Sequence, residues 1–449
     1  MRKIIIVLTV LLQVSLAYSQ VGSSTISVED VVKEFYKKYG VTFYDGYITF
    51  EKRKGDWYVV YNTVQNNELT PQERYLFYNG KTKKFQNLQL EENKDSTEVK
   101  VSDYVQEYDI RNFNLQPYFG YAGWYKDVIK EQESKSKLTD DELYGLARAY
   151  STYAGSLISD AAGYADKKEI WNIPFNINGL TPVQIDRFKN IGDKAIKAFK
   201  KLADRNPDYE TIVGKIGVKY SNEYIYQYQL LLTYADKYAS TMKLPPDLFS
   251  EQQLATAKKN LESCPSGAIL FSFGDNDFYP VHFLQKAKGI RKDVYLVNSN
   301  LLAIDRYIFR ATFPQYDALP INISVDTSFY IGHKNEVIYI KDSSFLLPMS
   351  EFRSFLHNGY RDENSMITLT ADKIGLAISK EKKGDVEIGV RRMLSLKDIK
   401  YLTRDQWILL DIIENLNGRK LCFPNLLFDQ LRELNNHLKQ KDDIWIYDN

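Results

Sequence analysis

The stretch from Gly267 to Asn298 constrains the fold more than any other part of the chain. Ala268 to Phe273 is an apolar run too short for a helix, and it reads as a strand buried on both faces. It stops at Gly274, where the backbone must turn sharply, and Asp275, Asn276 and Asp277 follow at once. Pro280 suits the first turn of a helix running to Gly289, and Asp293 to Asn298 reads as the next buried strand. Strand, acidic loop, helix and strand form a crossover that makes the two strands parallel. The Asp275 to Tyr279 loop and the Asn298 to Asn300 loop then fall at the carboxyl ends of the strands, where ligands settle in open parallel sheets.

A chain of 449 residues exceeds one ordinary core and implies two or three domains. Basic and acidic residues nearly cancel, 59 against 58, so no overall field draws the protein to nucleic acid or to an anionic membrane. The 34 tyrosines could stack on sugars, but they are scattered over every segment, as strands and half-buried helices also require.

The first 19 residues concern traffic. Arg2 and Lys3 precede the apolar run Ile4 to Leu12, and Ala17-Tyr18-Ser19 has the small-residue spacing of a signal-peptidase site. Cleavage before Gln20 would give an exported protein, periplasmic or secreted. No later apolar run reaches the roughly 20 residues of a membrane span. Export makes a disulfide between the only two cysteines, Cys264 and Cys422, chemically open, with two separate buried thiols as the alternative.

Helical spacing of Val28, Val31, Val32, Phe35 and Tyr36 predicts a helix ending at Gly40. The period then changes to two. Tyr47 to Phe50 and Trp57 to Tyr61 flank Lys54-Gly55-Asp56, and Tyr75 to Tyr78 runs into Asn79-Gly80, with Phe85 to Leu90 as the returning strand. The middle third is helical: a capping box at Thr139/Glu142 opens one helix, a second follows Thr181-Pro182, and a third covers Ile212 to Lys243. In the last third, helices are expected at Leu301 to Thr312, Ser350 to His357, Arg404 to Leu416 and Asn425 to Leu438. Strands are expected at Glu336 to Lys341, Met366 to Leu369, Val386 to Val390 and Lys420 to Phe423. The expected organisation is a signal peptide (1–19), a small antiparallel β segment (20–115), an α-helical scaffold (116–263) and a C-terminal α/β domain (264–449) with a mainly parallel sheet and flanking helices.

Two resemblances accompany these readings. Asp193 to Asp208 resembles the second helix of a tetratricopeptide repeat, and Gly214 to Tyr234 the first helix of a following one. In the last third, Ile269 to Pro280 with Gly289 to Asn298, then Asn300 to Ile308, then Gln406 to Ile413 with Arg419 to Phe423, resemble the soluble C-terminal region of bacterial protein O-mannosyltransferase-like multi-spanning membrane proteins. In that family a membrane-embedded part transfers sugar from a lipid carrier, and an exported region carries a Gly-Asp-Asn-Asp loop. The membrane-embedded half has no counterpart here, and Phe278 stands where the family has Thr. The resemblance therefore implies a soluble domain associated with cell-envelope glycosylation, not glycosyl transfer.

Two uses of the acidic loop stay open. Asp275 and Asp277 could hold a divalent cation through oxygen ligands, for a metal-assisted hydrolase or transferase, with His282 as an acid/base partner. Alternatively, Asp275 and Asn276 hydrogen-bond their own turn and Asp277 favours a helix N-terminus. Asn298, Asn300 and Asp305, on the exit of the second strand, could orient sugar hydroxyls together with Asp275, Asn276, Asp277 and Tyr279, or cap the following helix. No nucleophile elbow, dinucleotide fingerprint or zinc spacing is present. The expected function is binding of a polar ligand, such as a glycan, at the Asp275 to Tyr279 loop of an exported protein. The alternatives are the metal-assisted enzyme and an assembly protein holding a cell-envelope partner through its helices.

Overall fold

The computed structural model describes residues 26–39, 46–65, 68–90, 100–160, 163–332, 336–341, 346–348, 351–352, 354–355, 368–371, 373–383, 386–396, 399–427 and 431–447. The predicted leader lies outside them, as do four of the eight residues of the helix predicted over Ser350 to His357; the other four are helical. The chain forms two compact units, one of residues 1–153 and 162–169, the other of residues 154–161 and 170–449.

In the first unit, helix α1 (Val28–Tyr39) buries Val28, Val31, Val32, Phe35, Tyr36 and Tyr39, the stripe that 3.6-residue periodicity dictates. It lies on strands β1 (Gly46–Arg53), β2 (Asp56–Gln65) and β3 (Glu68–Asn79), where Phe35 meets Phe50 and Phe77 edge-on at 5.7 and 5.5 Å. The β1–β2 turn places Lys54 and Gly55 at φ 52° and 88°, the left-handed pair whose twist suits a two-residue hairpin. After Asn79-Gly80 the returning strand β4 is only Lys84–Phe85, shorter than predicted. Helix α2 (Glu107–Leu115), strand β5 (Tyr118–Phe119) and helix α3 (Trp124–Glu133) follow, and the antiparallel sheet has the order β4-β3-β2-β1-β5. Lys52 of β1 is buried, and its Nζ donates to the Phe113 carbonyl at 2.7 Å in the last turn of α2, where a cation suits the helix dipole. Burial lowers its pKa to about 8. Helix α4 (Asp140–Ile158) opens with the predicted capping box: Glu142 N donates to Thr139 Oγ1 (3.2 Å) and Thr139 N to Glu142 Oε2 (2.8 Å).

The second unit begins with α5 (Pro182–Arg205), capped by the reciprocal Thr181/Gln184 pair, and a two-stranded hairpin β6 (Glu210–Thr211) and β7 (Gly214–Lys215). Helix α6 (Ile216–Tyr234) packs on α5 closely enough that a Cβ at Gly192 would stand 2.3 Å from Gln227 Oε1. The single helix predicted from Ile212 to Lys243 is thus a hairpin arm, α6 and a short α7 (Asp236–Thr241), because Ala235 leaves helical geometry at φ −151°, ψ 56°. Next come α8 (Glu251–Ser263), β8 (Ile269–Ser272), α9 (Asp275–Lys288) and β9 (Tyr295–Asn298). Beyond them lie α10 (Asp305–Ala311), α11 (Thr327–Tyr330), β10 (Val337–Lys341), β11 (Leu346–Pro348), β12 (Thr368–Thr370), β13 (Lys373–Lys383), β14 (Val386–Ser395), β15 (Tyr401–Thr403), α12 (Arg404–Glu414), β16 (Leu421–Phe423), β17 (Leu438–Lys441) and β18 (Ile444–Tyr447).

The central sheet has the order β17-β18-β16-β8-β9. Its strands alternate between two cores: Ile269, Phe271, Tyr295, Val297, Leu421 and Phe423 enter one cluster, while Leu270, Leu296 and Cys422 enter the other. Both faces are dry, which is why β8 and β9 are continuous apolar runs rather than alternating ones.

The expected mainly parallel α/β sheet is not what forms. β16, β8 and β9 are parallel, but β18 pairs antiparallel with β16 and with β17. The two smaller sheets, β12-β10-β15 and β11-β13-β14, are likewise mixed, each with one parallel and one antiparallel pair. The reason is connectivity. A parallel neighbour needs a crossover, normally helical, whereas a tight turn makes a hairpin. Where a helix was predicted over Asn425 to Leu438, the described residues form a 3₁₀ turn (Arg432–His437) and the edge strand β17, which Asp442 and Asp443 join to β18 as a hairpin. The strand predicted at Val386 to Val390 is one arm of the long β13–β14 hairpin.

Cys264 and Cys422 are free thiols, both buried in one cluster. They are in hydrogen-bonding contact, and this contact together with burial pushes the Cys264 thiol well above its usual range. No helix among the described residues is long and apolar enough to cross a membrane.

Candidate functional site

The acidic segment after β8 is not a loop. Helix α9 starts at Asp275, so Asp275, Asn276 and Asp277 occupy its first three positions, and Pro280 lies inside it rather than near its start. Gly274 makes this early start feasible: as N-cap it adopts φ 84°, ψ 162°, a conformation essentially reserved for glycine, and turns the chain from strand to helix within one residue. Pro280 has no N–H, which removes the donor that the Asn276 carbonyl would otherwise receive one turn on.

Helical geometry separates the two carboxylates. Residues two apart on a helix point about 200° from each other. Asp275 turns back toward the protein, where its Oδ1 accepts from Asn298 Nδ2 at 3.3 Å and its carboxylate hydrogen-bonds the buried Tyr279 one turn on. As a residue Asp275 is exposed, yet protein packed around its carboxyl end raises its pKa, with Tyr279, the nearby Lys219 and Asn298 opposing that shift. Asp277 is also exposed, and partial desolvation raises its pKa. Burial moves the Tyr279 hydroxyl well above its normal value, so it is a phenol donor at any ordinary pH.

Asn276, between them, points a third way. Its Oδ1 accepts from Asn222 Nδ2 of α6 at 2.8 Å, and its own Nδ2 donates to the Val213 carbonyl in the β6–β7 turn at 3.2 Å. Beside Asn222 on α6 the fully buried Glu223 pairs with Lys219 at 3.3 Å and accepts from Gln227 at 3.2 Å. Two buried oxygens in this neighbourhood have no hydrogen-bond partner among the described residues: Asn222 Oδ1, and Ser272 Oγ at the end of β8. In the β8–β9 register Ser272 stands opposite Asn298.

The remaining predicted residues divide. Asn298 joins the site through Asp275, while its Oδ1 accepts from Asn300 N at 3.2 Å and its backbone N–H donates to Tyr307 at 2.9 Å. Asn300 is exposed on the same exit turn. Asp305 belongs elsewhere: its carboxylate accepts from Arg306 N (2.6 Å) and Gly332 N (3.0 Å), tying down the start of α10. His282 is not an acid/base partner of Asp277. It is fully buried, both ring nitrogens lack partners among the described residues, and Tyr228 and Phe278 pack edge-on at 5.2 Å with Tyr316 at 6.5 Å. Phe278 is thereby a core residue.

The described residues hold no cluster of three or more His, Cys, Asp or Glu that could bind a metal ion, and Asp275 and Asp277 diverge. What assembles instead is a set of neutral amides and hydroxyls around two carboxylates, able to exchange hydrogen bonds with a polar ligand. The contributions of Asn222, Lys219 and Val213 were not anticipated from sequence. A faint signal existed in α6, whose polar residues Ser221, Asn222, Glu223, Gln227 and Gln229 are all buried instead of gathering on a solvent stripe. No similar protein was found among curated proteins, and none among solved structures. Residues 253–441, a stretch that contains β8, α9 and β9, match the family described as TMEM260-associated domain 2.

Proposed function

We propose that the first turn of α9 is a binding site for a polar ligand, a glycan in the first instance, on an exported protein of the cell envelope. The observation that carries this reading is the division of labour at that turn. Asp275 is anchored inward by Tyr279 and Asn298 and Asn276 is bonded to Asn222 and Val213, while Asp277 is presented to solvent at the carboxyl edge of β8 and β9. Ligand sites in sheets with parallel neighbours lie at that edge. Export is supported by the Arg2 to Ser19 leader pattern. The envelope association is supported by the resemblance of the last third to the soluble region of protein O-mannosyltransferase-like membrane proteins. The metal-assisted enzyme is the weaker reading, since the two carboxylates diverge.

The test is a thermal-shift titration of the full chain with monosaccharides and with calcium and magnesium chloride. A ligand that binds only the native state raises the melting point, by about 2.7 kcal/mol of stability at a hundredfold excess over Kd. At least one sugar is expected to do so in the wild type and to lose most of that effect in Asp277→Ala. No shift with any compound, or an undiminished shift in the variant, would remove the reading.

A further inference from the structure

We infer that the Asn276 side chain is a displaceable latch over a hydrogen-bonding set matched to a neutral saccharide, with Asn222 of α6 as the residue that reads it. This deepens the proposed binding function and rests on it. Asn276 is exposed, so its side chain can rotate away from the seam without disturbing the core. In place it satisfies one donor, Asn222 Nδ2, and one acceptor, the Val213 carbonyl. Beside them Asn222 Oδ1 is buried and unpartnered although Asn222 is 3% exposed, so the amide that reaches Asn276 carries a second, unused acceptor. Ser272 Oγ, on a residue 2% exposed three positions before the start of α9, is also unpartnered among the described residues.

A buried acceptor without a donor is costly to maintain. Rotating Asn276 outward opens one donor and two acceptors together. The chemistry of that set selects the ligand. An anion could accept from Asn222 Nδ2 but would have nothing to give Asn222 Oδ1 or the Val213 carbonyl, and it would stand beside Asp275 and Asp277. A metal or ammonium ion could use the acceptors but would face the Asn222 N–H donors and the neighbouring Lys219. Hydroxyl groups both donate and accept. Adjacent sugar hydroxyls can take over both Asn276 bonds and also fill Asn222 Oδ1, while Asp277 remains available as an outer acceptor. Asn276 therefore occupies the ligand's place in the empty state, and binding has to break its two bonds.

Titration calorimetry of the full chain with D-mannose, D-glucose and N-acetyl-D-glucosamine tests this, with calcium chloride and inorganic phosphate run in parallel. The wild type should bind at least one sugar. Asn276→Ala, a change at an exposed position, should bind that sugar about five- to tenfold more tightly because the latch is gone. Asn222→Leu should bind it at least about tenfold more weakly, and its ligand-free melting curve checks that the buried change has left the fold intact. If a sugar binds and Asp277→Ala weakens it, but Asn276→Ala leaves affinity unchanged or lower, the latch is overturned while the binding site stands. Binding of calcium or phosphate with no sugar would overturn the saccharide assignment and keep a polar-ligand site. No binding by the wild type or by Asn276→Ala would remove both.

Discussion

At the scale of single residues, His282 is the most consequential correction. In sequence it sits five positions after Asp277 and suggests proton transfer; in the fold it is enclosed by Tyr228, Phe278 and Tyr316, with Lys286 and Arg310 the charged groups acting on it. Burial lowers its pKa to about 4, the positive charges of Lys286 and Arg310 adding to the same effect. The folded-state value lies below the unfolded one of about 6.5, so folding binds fewer protons. The stabilisation is fully present above pH ~6.5 and is lost as pH falls toward ~4, a change of about 3 kcal/mol for this one group. Urea denaturation at a series of pH values should show that decline in the wild type. In His282→Phe, which keeps an aromatic ring in an aromatic cage and adds no unsatisfied polar atom, the slope over the same window should largely vanish. An equal slope in both proteins would mean that other groups set the acid sensitivity. The same residue shows what sequence could and could not reveal: a lone histidine on a helix is visible, but which face of α9 is buried depends on the packing of α6 and the Tyr316 turn against it.

At the scale of elements, the decisive event is the start of α9. Local signals placed a helix from about Pro280 to Gly289, and its C-terminus was legible because Gly289 ends it in the left-handed conformation, φ 70°. Its beginning was not, because proline after an acidic run conventionally marks the first turn, whereas here the helix absorbs Pro280 one and a half turns in. That shift converts an expected loop with two neighbouring carboxylates into a helical turn with two opposed ones. Gly274 is the hinge on which this depends. Among the described residues, no heavy atom other than those of its chain neighbours lies within 4 Å of the position a Cβ would take at Gly274, so Gly274→Ala would meet no clash with them and pay only for its backbone conformation. The expected loss is about 1–3 kcal/mol, read as a lower denaturation midpoint with an unchanged slope. A variant as stable as the wild type would show that the strand-to-helix turn relaxes to another geometry.

At the scale of the whole molecule, two compact units with their own cores should unfold as separate cooperative blocks. Residues from Val28 to Ala149 build the core of the first, and two clusters on opposite faces of the β17-β18-β16-β8-β9 sheet build that of the second. Calorimetry of the full chain should give a transition whose van't Hoff enthalpy falls below the calorimetric one, resolvable into two components. A single transition with equal enthalpies would show that the units unfold as one. What the sequence determined by itself was local. Periodicity located α1, the Lys54-Gly55 hairpin, the Thr139 capping box and the double-sided burial of β8 and β9, because each depends on side chains within a few residues. Tertiary structure alone decided the direction of strand pairing, since a hairpin and a crossover can be drawn from similar apolar runs until the connecting segment commits. It alone also brought Asn222 and Val213 to Asn276, across more than 50 residues of chain, because a hydrogen bond between distant segments leaves no period in the sequence to read.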